Sequence, residues 1–182
     1  ETARRLLVWM DSDPYGFCYE IERDLVKVLD ERGLAAFERR IRERFEGALT
    51  ATPGQAGDPA YVRRRAAEIL RAVLAKQRNV QAYVALSEAT QLTSQDCLAL
   101  GRMLQARRKA ADALAWVERG LGLEGKQPSS PAEHDLARLK RDLLLKLGQR
   151  DAALDAAWAD FKAHPHTYSY ADLMRYVPKT ER

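Results

Sequence analysis

The sequence predicts an all-α fold built from antiparallel helix hairpins. Leu and Ala supply 24 and 29 of the 182 residues, whereas Ile and Val together supply only 12. Unbranched side chains lose little rotamer freedom in a helix and β-branched ones favour strands, so this composition favours helices. Apolar residues also recur at intervals of three and four along most of the chain, which is the spacing of one helix face. No segment alternates apolar and polar residues as a half-buried strand would.

The N-terminal third is predicted to contain a helix hairpin followed by a loop. Helical spacing runs from Tyr15 to Arg32, and Gly33 is expected to end that helix because glycine is favoured just past a helix C-terminus. A second helix follows over residues 34–49, and so short a break forces the two helices to pack antiparallel. Residues 50–58 have the composition of a loop.

The middle third is predicted to contain four helices. Asp58 followed by Pro59 is an N-cap with proline at the first helical position, and it begins a helix that reaches about Gln77. Residues 80–90 form a short helix. The Thr93–Asp96 segment resembles a capping box and begins the next helix, which pairs with a helix over 110–121.

The last third is predicted to contain a further hairpin and a terminal helix. The Ser130–Glu133 segment is a capping box with proline at the first helical position, and Gly148 ends the helix that it begins. Residues 151–163 form the partner helix, which Pro165 stops, and Ser169 begins a last helix. Trp158 lies on the apolar stripe of the partner helix, so we expect it to be buried, at a cost of about 3–5 kcal/mol for Trp158→Ala.

The hairpin at 130–165 resembles a tetratricopeptide repeat unit. Gly148, Ala153 and Pro165 stand at the spacings of that family's turn glycine, packing alanine and closing proline. The preceding hairpin, at about 93–121, departs from the pattern because Arg108 takes the place of the glycine. The resemblance implies a short α-solenoid of stacked hairpins.

The whole chain is also similar to an uncharacterised bacterial family of degenerate tetratricopeptide-like helical repeats. The shared features are Tyr15-Gly16, the Gly33–Ala36 run, the segment YVALSEATQLTSQDCLAL and the later LAWVERGL. Some such segments resemble the helical regions found beside SWIM-type zinc fingers. This resemblance implies a bacterial cytoplasmic setting and no particular activity.

The domain prediction is one helical-repeat domain over 1–182, with an internal boundary at the 50–58 loop. The chain begins at Glu1 within a helical run, so we expect it to be a fragment of a longer protein. The net charge of +4 is mild, and no apolar run is long enough for a membrane span. Cys18 and Cys97 are predicted to be buried free thiols in a reducing cytosol.

The sequence lacks the short motifs of the common catalytic and cofactor sites. It has no GxGxxG, P-loop, HExxH, CxxC or GxSxG pattern. The His164-Pro165-His166 segment has no third metal ligand nearby and reads as a solvated pair at a helix end. We therefore expect no enzyme activity, no cofactor and no metal.

The sequence favours a non-catalytic protein–protein interaction or scaffolding module that binds a protein or peptide. Stacked hairpins present a concave surface of the kind that binds partner segments. The alternative is a nucleic-acid-binding repeat that uses the basic stretch 61–78, although some of its arginines are expected to pair with the acidic stretch 11–31. Neither nucleic acid nor membrane is the expected partner. The candidate partner-binding residues are Arg63, Arg64, Arg71 and Tyr83.

Overall fold

The computed structural model describes residues 21–50, 58–124 and 132–178, and these ranges contain helices and turns but no strand. This confirms the all-α prediction. Within the same ranges, no helix has the length and apolarity needed to cross a bilayer. The helices are α1 (Ile21–Val28), α2 (Glu31–Thr50), α3 (Pro59–Lys76), α4 (Val80–Thr90), α5 (Ser94–Ala106), α6 (Ala110–Glu124), α7 (Ala132–Lys146), α8 (Arg150–Ala163) and α9 (Thr167–Leu173).

The helices group into two compact units, which divide between Thr90 and Gln91. In the first unit, α3 packs against α1, α2 and α4. In the second unit, each helix from α5 to α9 packs against the next, and α5 also contacts α7. The predicted single domain with a boundary at 50–58 stays a prediction, since residues 51–57 lie outside the described ranges.

The break between α1 and α2 is at Leu29 and Asp30, so the prediction that Gly33 ends the first helix is wrong. Asp30 explains the difference, because its Oδ1 accepts a hydrogen bond of 2.7 Å from the Gly33 N–H and thereby caps α2. Lys76 of α3 donates to the backbone carbonyls of Val26, Lys27 and Leu29. A lysine from another helix therefore satisfies the C-terminal carbonyls of α1.

Two of the predicted N-caps are present. Asp58 accepts from the Ala60 N–H at 3.0 Å. Thr93 Oγ1 accepts from the Asp96 N–H at 3.2 Å, and Asp96 Oδ2 accepts from the Thr93 N–H at 3.0 Å, which completes the capping box. The predicted cap at Ser130 and Pro131 lies outside the described residues, as do the segments before Ile21.

Three helix hairpins, α3–α4, α5–α6 and α7–α8, share one turn geometry. The turn residues Arg78, Arg108 and Gly148 have φ of 54°, 61° and 78°. In each turn the following N–H bonds to the carbonyl five residues back, at 2.9 Å, 3.0 Å and 2.9 Å, as in a Schellman motif. The turn predicted at Gly148 is therefore confirmed, and Arg108 adopts the conformation that glycine would favour.

The core of the second unit depends on close helix packing. A Cβ atom added to Gly120 of α6 would lie 2.7 Å from Cys97 Cβ and 3.0 Å from Leu136 Cδ1, so the glycine lets α6 approach both α5 and α7. Cys97 is a buried free thiol, as predicted, and burial raises its pKa to about 11. Cys18 lies outside the described residues.

Trp158 is 42% exposed, so the prediction that it is buried is wrong. Its ring makes an edge contact with Phe161 at 6.0 Å between centroids, and Lys162 Nζ lies 6.0 Å from it. The core positions of α8 are taken by Ala153 and Ala157, which let α8 approach its neighbours and leave Trp158 at the margin. The full burial cost of about 3–5 kcal/mol therefore no longer applies to Trp158→Ala.

Arg108→Gly is expected to raise the free energy of unfolding by about 1 kcal/mol. An L-residue with φ near 61° loses about 1–2 kcal/mol in that conformation, and the freedom that glycine gains in the unfolded chain offsets part of the relief. Urea denaturation would measure the change. Arg107→Gly is the matched control. It removes the same charge, but Arg107 has φ of −87°, so the substitution relieves no backbone strain. Equal stabilisation by the two variants would contradict the argument.

Candidate functional site

A cleft of about 380 Å³ lies where α7, α8 and α9 of the second unit meet. We take this cleft as the candidate functional site. Most of its lining residues carry polar or charged groups, and they come from α7, the end of α8, and α9 with its flanking turns. They are His134, Arg138, Asp160, His166, Tyr168, Ser169, Ala171, Asp172 and Arg175.

Arg141 forms the base behind the cleft. It stands among the core leucines of α7 and is 1% exposed. Its Nη1 donates to Asp160 Oδ2 at 3.1 Å, and its Nη2 donates to Asp172 Oδ2 at 2.7 Å. Its guanidinium carbon also lies 5.8 Å from the ring centroid of Tyr176. One buried arginine therefore joins α7 to both α8 and α9.

The surroundings of Arg141 keep it charged. Burial alone would lower its pKa, but a hydrogen bond with Tyr176 and the charges of Asp172 and Asp160 outweigh this, and the pKa is raised. Burial also raises the pKa of the Tyr176 hydroxyl, which donates to Asp142. The Arg141 Nε has no hydrogen-bond partner within the described ranges. The ion pairs with the aspartates therefore have to compensate the guanidinium for the water that it loses on burial.

The wall of the cleft at the start of α9 is fixed by an unusual cap. His166 Nδ1 accepts from the Ser169 N–H at 3.0 Å, and Ser169 Oγ accepts from the His166 N–H at 3.1 Å. Ser169 Oγ also donates to the His164 carbonyl at 2.6 Å. The helix therefore begins at Thr167 with His166 as its cap, earlier than the predicted start at Ser169. Since Nδ1 is an acceptor, the proton of the neutral ring lies on Nε2.

The rim of the cleft carries exposed side chains from α7 and α9. His134 and Arg138 are one helical turn apart on α7 and are exposed. Neither makes a hydrogen bond or an ion pair within the part of the chain that the structure describes. Tyr168 is 84% exposed, and its ring contacts the His166 ring at 6.1 Å between centroids. The rim therefore presents hydrogen-bond donors and an aromatic ring.

Most of the carboxylate oxygens in the cleft are already engaged. Asp160 and Asp172 both bind Arg141, and Asp172 Oδ1 also accepts from Arg175 at 3.2 Å. Among the described residues, no three His, Cys, Asp or Glu side chains are grouped so as to hold a metal ion. This arrangement favours a structural role for the two carboxylates over proton transfer.

The residues predicted to bind a partner belong to the first unit, whereas the cleft belongs to the second. Arg63 donates to the Ala89 carbonyl at 3.0 Å, and Arg71 donates to Thr90 Oγ1 at 2.7 Å, so both attach α3 to the end of α4. Arg64 is exposed, with its guanidinium carbon 5.6 Å from the Tyr61 ring centroid. Tyr83 is 4% exposed and belongs to the core, which leaves its ring without a surface to offer a partner.

Sequence reasoning missed the cleft because the position of Arg141 gave no clear signal. At 100° per residue, Arg141 lies about 160° around α7 from Leu139 and Leu143, off their apolar stripe, where a solvated charge is expected. Its burial in the structure shows that this charge has partners within the fold. His134 and Arg138 share a face of α7 by their spacing, but spacing gave no sign that α9 would pack beside them.

Arg141→Met is expected to lower the free energy of unfolding by about 2–4 kcal/mol, because Asp160 and Asp172 lose their buried cation and Asp172 keeps only the exposed Arg175. The expected loss is kept below that of a fully buried pair, since Asp160 and Asp172 are 24% and 20% exposed. The matched control is Arg138→Met on the same helix, which should change stability by less than about 0.5 kcal/mol. Chemical denaturation yielding similar losses for both variants would remove Arg141 from its central role.

Comparisons with known proteins give a family but no activity. No curated protein and no solved structure matches the chain. A family described as a family of unknown function (DUF6880) matches residues 1–180. The chain therefore belongs to this uncharacterised family.

Proposed function

We propose that the chain is a non-catalytic protein-interaction module that holds a segment of a partner protein in the cleft of its second unit. The proposal is based on one observation. A rigid base formed by Arg141 lies behind rim side chains that have no hydrogen-bond or ion-pair partner among the described residues. Arg141 fixes α7, α8 and α9, while His134 and Arg138 have no polar partner within the described ranges. Binding sites commonly combine such a rigid frame with a few polar groups that orient the ligand.

The helical architecture supports the same proposal. The turn geometry recurs at Arg78, Arg108 and Gly148, as expected of degenerate tetratricopeptide-like units. Within the second unit, α5 contacts both α6 and α7, which is the pattern of stacked hairpins. A short α-solenoid, a kinship with the helical regions beside SWIM-type zinc fingers, and a bacterial cytoplasmic setting remain part of this proposal.

One observation favours the alternative of a nucleic-acid-binding repeat using the stretch 61–78. Burial and the nearby charge of Arg65 lower the pKa of Arg44, so the first unit holds two cations close together. Opposing this, Arg63 and Arg71 are bound to α4, and Arg65 Nη1 donates to the Tyr61 hydroxyl at 3.3 Å. Arginines bound within the unit are poorly placed to follow a phosphate backbone.

A selection from a random nine-residue peptide library, displayed on phage, tests the proposed function. We expect peptides that bind the full chain saturably with Kd of about 1–100 μM, since a cleft of this size supports only a small interface. Tyr168→Ala should weaken the binding of such peptides at least about fivefold, because the peptide loses its contact with the exposed ring at the rim. The control Tyr61→Ala removes an exposed tyrosine of the first unit and should have no effect. Failure to select any saturable binder would contradict the proposal.

The same chain is expected to bind neither RNA nor duplex DNA more tightly than about 10 μM at near-physiological salt. Fluorescence anisotropy with labelled single- and double-stranded oligonucleotides at two salt concentrations measures this. Submicromolar binding that weakens steeply with salt, and that is lost when Arg63, Arg64 and Arg65 are replaced by Ala, would establish the alternative instead.

A further inference from the structure

We infer that the cleft recognises a carboxylate side chain of an acidic protein segment, bound by Arg138 and His134. This inference rests on the proposed function and specifies its ligand. It follows from the balance of donors and acceptors in the cleft and from the charges around it.

Three of the four carboxylate oxygens of the cleft accept hydrogen bonds from within the fold, and the fourth, Asp160 Oδ1, lies 3.8 Å from His164 Nδ1. Asp160 and Asp172 accept from Arg141, at 3.1 Å and 2.7 Å. Ser169 Oγ and His166 Nδ1 bind each other's backbone N–H groups. A ligand rich in donors would therefore have to displace bonds that hold α7, α8 and α9 together.

The hydrogen-bond donors at the rim, by contrast, have no acceptor within the described ranges. Arg138 presents its guanidinium N–H groups with no internal acceptor in the described ranges, and His134 stands one turn away on the same face of α7. His166 Nε2 is left as a donor because its Nδ1 is occupied in the cap. A ligand that complements such a surface is an acceptor, and the planar fork of an arginine matches a carboxylate in two hydrogen bonds.

The charges of the cleft fit one carboxylate better than a chain of phosphates. Arg138, Arg141 and Arg175 face Asp160 and Asp172, which leaves one excess positive charge when the histidines are neutral. One excess positive charge can balance one carboxylate but not a run of phosphates. The Tyr168 ring supplies an apolar contact beside the cations. The preferred segment therefore has Asp or Glu next to an apolar residue.

The test uses a fluorescein-labelled peptide taken from the library selection. We expect the selected sequences to share an acidic position, and replacing that Glu by Gln should weaken binding at least about tenfold. Arg138→Glu should abolish detectable binding, and a peptide with Lys at the acidic position should regain part of it. Such recovery by exchange of charges is the signature of direct contact. The matched control is Lys146→Glu, an exposed cation of α7 outside the cleft, which should keep Kd within about twofold.

The outcomes separate this inference from the proposed function. Selected peptides that bind the cleft but are neutral or basic would overturn the carboxylate inference and leave the interaction module standing, whereas the absence of any peptide would overturn the module itself. Displacement of the peptide by millimolar inorganic phosphate but not by acetate would assign the rim to phosphate and also overturn the inference. Thermal unfolding of Arg138→Glu should match the parent protein, and Arg138→Gln replaces it in the assay if it does not.

Discussion

The second unit depends on one buried arginine. Arg141 is 1% exposed, and its guanidinium bridges Asp160 at the end of α8 and Asp172 in α9. The short helix α9 has only seven residues, too few to be stable by its own hydrogen bonds. Its position is therefore set by two tertiary contacts, Leu173 in the core and the ion pair with Arg141, while the His166 cap fixes its first turn locally. The cleft exists because these contacts hold α9 against α7.

A second constraint is the geometry of the hairpin turns. The turns within the hairpins α3–α4, α5–α6 and α7–α8 each use a residue with positive φ and the same hydrogen-bond pattern, at 78, 108 and 148. The similarly short connections α1–α2, α4–α5 and α8–α9, all among the described residues, contain no such residue. Glycine occupies this place only once. Arginine accepts the strain at the other two because the helix packing on each side determines the turn. Repetition of a unit is thus clearer in the backbone than in the residues.

The sequence predicted the helices well because apolar spacing and caps are local signals. The capping box at Thr93 and the turn at Gly148 followed from side-chain chemistry within a few residues. The errors arose where two local signals competed or where tertiary packing decided. Asp30 caps α2, so Gly33 lies in the first turn of α2 and not at the end of α1. Trp158 lies on a helix face whose burial depends on which helix packs beside it, and periodicity does not give that neighbour. The cleft was missed for the same reason.

Comparison of the basic stretch 61–78 with Arg138 shows why a charge in a sequence does not by itself indicate a binding site. Arg63 and Arg71 belong to the most basic stretch of the chain, yet their guanidinium groups bind the end of α4 and so stabilise the first unit. Arg138 belongs to no basic run, but the nearby carboxylates of Asp160 and Asp172 bind Arg141, and Arg138 has no polar partner among the described residues. What a cation offers to a ligand is set by what the fold leaves unsatisfied. By that criterion the rim at Arg138 and His134, on a frame held by Arg141, is better suited to receive an anionic group than the arginine run itself.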